Sequence, residues 1–376
     1  MLLSAALIAR DEEKFLGACL RSVHGLVDEV VVVDTGSTDR TLEIARAEGA
    51  RVYQRPWTDD FSTARNQALD LARGKWILYI DADERVRPGS ADGVRERLRD
   101  PAYVGHRVTL HPRLGDSGYW ELRLFRNEPD IRFRGIIHEN IWPAIAAHRA
   151  VSGGMIGQTG LVLDHEGYEG DQHRKHLRNL PLLERALAED PTRVFSWCHL
   201  ATVRAGLGDD VGAGRAWAEA MRLVSGKTVR VPEDAIPFLH QIEERMARGE
   251  DTSDLLERAR RLFPTNLQFV WLQAQVLMAA DRNADAVERL ERLVAAGQTG
   301  HYDKSWAYDV RLFGVFAYDL LAVCHFRMGE FAAARRYYEL AAGCEPSNVE
   351  WRAKAAACAR LFTRDGTGPQ PRPAAI

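Results

Sequence analysis

Residues 76–84 read W-I-L-Y-I-D-A-D-E, an apolar run that meets two aspartates one position apart. A strand without polar alternation is covered on both faces, so the chain needs a parallel sheet between layers of helix. At period two, Asp81 and Asp83 are expected on the same side of the strand end. Hard cations such as Mg²⁺ or Mn²⁺ take one or two carboxylates and leave other positions to phosphate oxygens, so this pair suits a metal shared with a diphosphate. Ala82 between them lets the backbone approach such a ligand. Taken alone, the same spacing also occurs in solvated turns.

The upstream sequence supports the sheet. Leu2 to Ala9 reads as a first strand and Glu12 to Val23 as a helix with Phe15, Leu16, Cys19 and Leu20 on one face. Val30 to Val33 is a second continuous apolar strand; it runs into Asp34-Thr35-Gly36-Ser37-Thr38, where Ser37 or Thr38 is expected to cap a helix ending near Ala47. Ligands of open α/β sheets sit beyond the carboxyl ends of the strands. Arg10, Asp34 and Asp81 all fall at such ends.

A chain of 376 residues accommodates two domains, and a net charge of −3 argues against nucleic acid as a partner. No apolar run approaches the roughly 20 residues that span a bilayer. The five cysteines are scattered, without C-x-x-C spacing, which indicates neither a disulfide framework nor a zinc site and predicts a reduced, cytoplasmic protein. A homo-oligomer is compatible with this composition.

Near Gly170 the chain changes from mixed to purely helical character. Trp197, Leu200, Ala201, Arg204, Gly208, Ala213, Trp217 and Ala220 recur at the same offsets as Tyr318, Leu321, Ala322, His325, Gly329, Ala334, Tyr338 and Ala341. This resembles the tetratricopeptide pattern, in which small residues let antiparallel helices pack closely. Leu255 to Pro264 and Val270 to Leu293 read as degenerate versions, giving about four hairpins. The expected division is 1–170 for an α/β domain, 171–363 for an all-α repeat domain and 364–376 for a disordered tail.

Six segments occur in order within the first 140 residues: A-R-D-E-E-K-F-L from Ala9, V-D-E-V-V-V-V-D-T-G-S-T-D-R-T from Val27, D-D-F-S-T-A-R-N from Asp59, W-I-L-Y-I-D-A-D-E from Trp76, L-R-L-F-R-N from Leu122 and F-R-G-I-I-H-E from Phe133. As a set they resemble family-2 inverting glycosyltransferases of the GT-A fold, in the bacterial subgroup with tetratricopeptide repeats that includes sublancin-type peptide S-glycosyltransferases. The resemblance implies a Rossmann-like nucleotide-sugar-binding domain followed by a helical repeat domain. It also implies a UDP-sugar donor, a divalent metal (Mn or Mg) and an acceptor that is a peptide or protein met through the repeats. A glycan, a lipid-linked acceptor or a small molecule stays open as the alternative.

By that resemblance, Ala9, Arg10, Glu12, Asp34, Arg65, Asn66, Asp81, Ala82 and Arg123 would line the nucleotide diphosphate, and Asp81, Asp83 and His165 would hold the metal. Arg65 has a competing surface role, pairing with Asp59 or Asp60, and Glu84 reads as a helix-start acid. Inverting transfer needs a base on the sugar face opposite the leaving group. Glu139, after an apolar strand-like approach, is the first choice, although it could merely pair with Arg132 or Arg134. His138 beside it would orient acceptor or diphosphate. Arg123 and Arg126 take opposite faces of a strand, so at most one points at the diphosphate. Trp57, Phe61, Tyr119 and Trp120 fall in loop-like stretches, mostly as plugs, and the repeat aromatics are packing residues. Sugar nucleotidyltransferases share the architecture, but they need a glycine-rich loop that Leu3 to Glu12 lacks. A non-catalytic repeat scaffold is the remaining rival, against which Asp34, Asp81 and Asp83 argue.

Overall fold

The computed structural model describes residues 1–112, 115–166 and 172–364. The expected disordered tail therefore lies, but for residue 364, outside the described residues, as do residues 167–171, where the expected boundary between the domains falls.

The chain begins with β1 (Leu3–Ala9), α1 (Leu16–Ser22), β2 (Glu29–Asp34), α2 (Thr41–Ala47), β3 (Arg51–Gln54), α3 (Phe61–Leu71) and β4 (Trp76–Tyr79). It continues with β5 (Glu84–Val86), α4 (Val94–Arg97), β6 (Tyr103–His111), β7 (Tyr119–Arg126), α5 (Trp142–Ser152) and β8 (Met155–His165). These strands form one sheet of order β3-β2-β1-β4-β7-β6-β8-β5. The first four are mutually parallel, whereas β7 runs antiparallel to both β4 and β6. The order reverses at β1, and the carboxyl ends of β1, β2 and β4 share one rim, the place where open α/β sheets bind ligands.

Alternation along the apolar strands divides the core in two. Val30 and Val32 pack with Leu7, Leu78 and the α1 residues Leu16, Cys19 and Leu20 on one face. Val31 and Val33 pack with Ile77, Tyr79, Phe125 and the α3 residues Ala68 and Leu69 on the other. Leu78 is wholly buried, so Leu78→Ala is worth roughly 2–5 kcal/mol of stability.

Two helix starts differ from expectation. Residues 13–15 form a turn, with Phe15 N–H donating to Glu12 O at 3.1 Å, so α1 begins four residues after Glu12 rather than at it. Ser37 and Thr38 do not cap α2; Ser37 Oγ accepts from Asp11 N–H and Thr38 N–H donates to Asp11 Oδ1, while Asp39 accepts from Thr41 N–H. Tyr119 and Trp120 lie on β7 rather than in a loop.

The helices that follow are α6 (Gln172–Glu189), α7 (Val194–Gly206), α8 (Asp210–Gly226), α9 (Ile236–Ala247), α10 (Ser253–Leu262), α11 (Leu267–Ala279), α12 (Asn283–Thr299), α13 (Val315–Arg327), α14 (Phe331–Cys344) and α15 (Val349–Arg364). The repeated offsets fall on the pairs α7–α8 and α13–α14. Ala201, Ala220, Ala322 and Ala341 are fully buried, and Gly208 and Gly329 close the first helix of each pair at φ of 83° and 80°. None of the helices among the described residues is long and apolar enough to cross a membrane.

The α/β domain followed by all-α hairpins is the architecture expected, but compactness divides the chain elsewhere. One unit comprises residues 1–114 and 118–234, and the other residues 115–117 and 235–376. The change of character near 170 is a change of secondary structure only. Leu182, Leu183 and Leu187 of α6 and Leu200, Ala201 and Val203 of α7 share a buried cluster with Ile136 and Ile137, which keeps α6 to α8 in the first unit. Trp57 and Phe61 pack beside this cluster as plugs. Within the second unit, the 115–117 segment pairs with 308–310, through Ser117 N–H to Tyr308 O at 2.7 Å and Val310 N–H to Gly115 O at 2.9 Å.

Candidate active site

Three strand ends supply the rim. At the end of β1, Ala9 O accepts from Thr35 N–H at 3.0 Å, Arg10 is exposed, and Glu12 folds back so that its N–H donates to Thr41 Oγ1 at 2.7 Å. At the end of β2, Asp34 is buried and its carboxylate accepts from the N–H groups of Gly36 at 3.1 Å and Ser37 at 3.2 Å. These bonds hold the turn and orient the carboxylate.

Beyond β4 the chain turns instead of extending. Asp81 N–H donates to Glu84 Oε2 at 2.9 Å and Glu84 N–H to Asp81 O at 3.0 Å, a reciprocal closure over residues 81–84. The period-two argument therefore fails here, because the strand stops at Tyr79. Asp81 meets the guanidinium of Arg65 at 2.7 Å and that of Arg123 at 3.7 Å, whereas Asp83 meets His165 Nε2 at 3.1 Å. From below, the Cys19 thiol contacts Asp81 O at 3.3 Å. Ala82 is buried in the turn, with its carbonyl accepting from Arg85.

Glu84 corrects the helix-start reading. It opens β5, is 1% exposed, and takes both terminal nitrogens of Arg123, at 3.1 and 2.8 Å. Burial lifts its carboxyl above the ordinary range against the pull of Arg123. Arg123 also donates to Glu121 at 3.1 Å and lies 4.2 Å from the Tyr79 ring centre. Arg126, on the opposite face as expected, bonds instead to the carbonyls of Tyr103 and Asp100. Glu121 was not anticipated, although its spacing of two from Arg123 in a strand was a legible signal.

Arg65 connects the rim to the F-R-G-I-I-H-E segment. Its Nη2 binds Asp81 and its Nε donates to Glu139 Oε1, and Nη1 has no partner among the described residues. Glu139 thus pairs with neither Arg132, which holds Asp70, nor Arg134, and Arg65 with neither Asp59 nor Asp60. Burial alone would raise the Asp81 carboxyl, but Arg65 and Arg123 outweigh it and hold the group down at about 2. Burial, followed by the fields of Asp83 and Asp81, pushes Glu12 up to about 7, so these three carboxyls share one electrostatic pocket.

Asn66 locks the same segment from α3: its amide donates to Phe133 O at 3.0 Å and accepts from Phe133 N–H at 2.8 Å. With both ends engaged, it acts on backbone rather than on a ligand in this conformation. The approach to Glu139 is a loop, closed by the Arg134–Asn140 bridge, not the strand expected. The His138 ring does not point at the carboxylates. It packs 4.0 Å from the His199 ring and 5.3 Å from Phe195, and burial pushes it down to about 3, so it stays neutral.

Pro112 O lies 3.1 Å from His165 Nδ1, and a carbonyl only accepts, so Nδ1 carries a proton and Nε2 faces Asp83. Without a cation, Nε2 is best protonated toward that carboxylate, and His165 is raised for this reason. An imidazole and a carboxylate converging in this way suit a divalent cation whose other positions go to phosphate oxygens. No group of three or more His, Cys, Asp or Glu side chains gathers for a metal among the described residues.

Residues 4–151 match the glycosyl transferase family 2 model. A TPR repeat-containing protein of Synechococcus elongatus is 35% identical over 242 residues, covering 62% of this chain and 59% of its own. The SPbeta prophage-derived glycosyltransferase SunS of Bacillus subtilis is 26% identical over 198 residues, covering 50% of this chain and 46% of its own. A lipopolysaccharide core biosynthesis glycosyltransferase, LpsC of Rhizobium meliloti, is 30% identical over 44% of this chain and 66% of its own. This chain thus spans only about half to two thirds of the length of these relatives. Among solved structures, S. aureus TarS 1-349 in complex with UDP-GlcNAc is similar over 66% of this chain and 93% of that one, at 15% identity and a TM-score of 0.41, too slight a likeness to locate a ligand here. Residues 4–151, with the rim of Asp34, Asp81 and Asp83 inside them, form a glycosyl transferase family 2 domain, which the chain joins to tetratricopeptide-like helices.

Proposed function

We propose that the protein is an inverting glycosyltransferase that moves a sugar from a UDP-linked donor to a side chain of a peptide acceptor. The observation that carries this reading is the single guanidinium of Arg65 shared by Asp81 and Glu139, which would set the first-choice base next to the proposed diphosphate end of the site. Asp34 would receive the nucleoside at the end of β2. Asp83 and His165, with Asp81 beside them, would hold a divalent cation that supplies positive charge to the diphosphate.

Glu139 would take the proton from the acceptor hydroxyl or thiol as that atom bonds to the anomeric carbon. The bond from carbon to the diphosphate oxygen breaks on the opposite face, and UDP leaves with the electron pair. Arg65 aligns Glu139 with this axis, while Arg123, held by Glu84 and Glu121, keeps the 81–84 turn in place. The peptide acceptor is favoured by the resemblance of the six ordered segments to the subgroup with peptide S-glycosyltransferases and by the helical hairpins, an extended surface of the kind that receives peptides. The similarity to LpsC favours a glycan or lipid-linked acceptor as the second reading.

The test is a screen of nucleotide sugars for UDP release with and without Mn²⁺, followed by mass spectrometry of peptide and glycan acceptors. Release from a UDP-sugar together with a hexose mass on the peptide is the expected result. Glycan modification alone would select the second reading, and no release from any donor would return the chain to the scaffold class.

A further inference from the structure

We infer that Arg193, in the turn between α6 and α7 and beyond the family 2 domain, is a positioning residue for Glu139, so that the α6–α7 hairpin is part of the catalytic unit rather than an acceptor module. The inference rests on the assignment of Glu139 as base.

The segment from Arg134 to Asn140 belongs to no helix or strand and has one isolated bridge between its ends. Its own backbone closes it at the ends, by Arg134 N–H to Asn140 O at 3.1 Å and Asn140 N–H to Arg134 O at 2.8 Å. Inside it, His138 sits at φ of 52°, a left-handed conformation that a histidine keeps only when its surroundings impose it. Arg193 does so: its Nη2 donates to His138 O at 2.6 Å. That oxygen belongs to the peptide plane whose nitrogen is Glu139's own, so holding it fixes the plane from which the Glu139 side chain departs.

Three further contacts converge on the loop. Gly135 has φ of 103°, and a Cβ there would lie 3.3 Å from Arg193 Nη1, so the glycine leaves the guanidinium its place. Ile136 and Ile137 are buried against Leu182, Leu183 and Leu187 of α6 and Leu200 of α7. Phe61 N–H, at the start of the helix that carries Arg65, donates to Ile136 O at 2.8 Å. Glu139 is therefore aimed from one side by Arg65 and held from the other by Arg193. A lysine cannot do the same, because it lacks the planar fork whose second nitrogen lies over Gly135.

Arg193→Met, Arg193→Lys and Gly135→Ala test this by two independent readouts. Hydrogen exchange of the amides at 134–140 should quicken in Arg193→Met, while protection of β1 to β4 is unchanged. Turnover should fall about 10- to 100-fold, the scale of a displaced reacting group, with UDP affinity kept within about twofold. Arg193→Lys and Gly135→Ala should fall between wild type and Arg193→Met, and they decide the matter if Arg193→Met does not fold. Unchanged loop exchange, or equal loss of UDP affinity and turnover in Arg193→Lys, overturns the inference. If the wild type transfers no sugar, or Glu139→Gln transfers normally, the base assignment fails on its own terms, and the exchange measurement still decides whether Arg193 holds the loop.

Discussion

Arg65 Nη2 lies 2.7 Å from Asp81 Oδ1, and the same guanidinium donates through Nε to Glu139. A cation beside a buried carboxylate lowers its proton affinity, and Asp81 is held at about 2. Arg65→Met should therefore move the acid limb of the pH profile of kcat/KM upward, by about one to three units, the usual effect of an adjacent arginine on an aspartate. An acid limb at the wild-type position would show that the Asp81 carboxyl does not govern turnover.

Asp83→Asn removes one charge from the pair with His165 and leaves the side chain's shape. Metal-supported turnover should drop by roughly 10²-fold or more, while thermal stability stays near that of wild type. Near-normal turnover of the wild type in EDTA would contradict the metal assignment.

Glu139→Gln keeps the geometry next to Arg65 but cannot take the acceptor proton. Transfer should fall by about 10²- to 10⁴-fold, with UDP binding by calorimetry preserved. Joint collapse of binding and turnover would mean that Glu139 serves the donor, and that the base lies elsewhere.

His106 gives a stability prediction away from the site. Its ring lies between Trp76 and Tyr103, at 5.3 and 4.8 Å, neither nitrogen has a partner among the described residues, and burial pushes it down to about 4. The folded state keeps it neutral, whereas the unfolded chain protonates it below about 6.5. Its contribution is thus complete above that pH and is lost as pH falls toward 4, at up to roughly 1.4 kcal/mol per pH unit. His106→Leu should make the fall of Tm between pH 7 and 4.5 shallower; an unchanged slope would show that the buried imidazole is not what titrates.

Much was legible from neighbours in the chain. The continuous apolar runs of β1, β2 and β4 required burial on both faces, and the charged residues after them, Arg10, Asp34 and Asp81, fall on one shared rim, because parallel strand direction places successive ends together. The repeated Ala, Gly and aromatic offsets in α7–α8 and α13–α14 likewise followed from local helix packing. What the sequence could not decide was which charges meet. Arg65 sits 16 residues from Asp81 and 74 from Glu139, yet it pairs with both and with neither Asp59 nor Asp60, six and five residues away. Glu84 looked like a helix-start acid until the sheet set Arg123 against it, and the turn over 81–84 formed around that pair in place of a longer strand. Periodicity records which face of an element is apolar, and that belongs to each segment alone. Ion pairs between buried groups, and the loop at Glu139 that Arg193 holds, depend on distances that exist only after the sheet, α3 and the α6–α7 hairpin have packed.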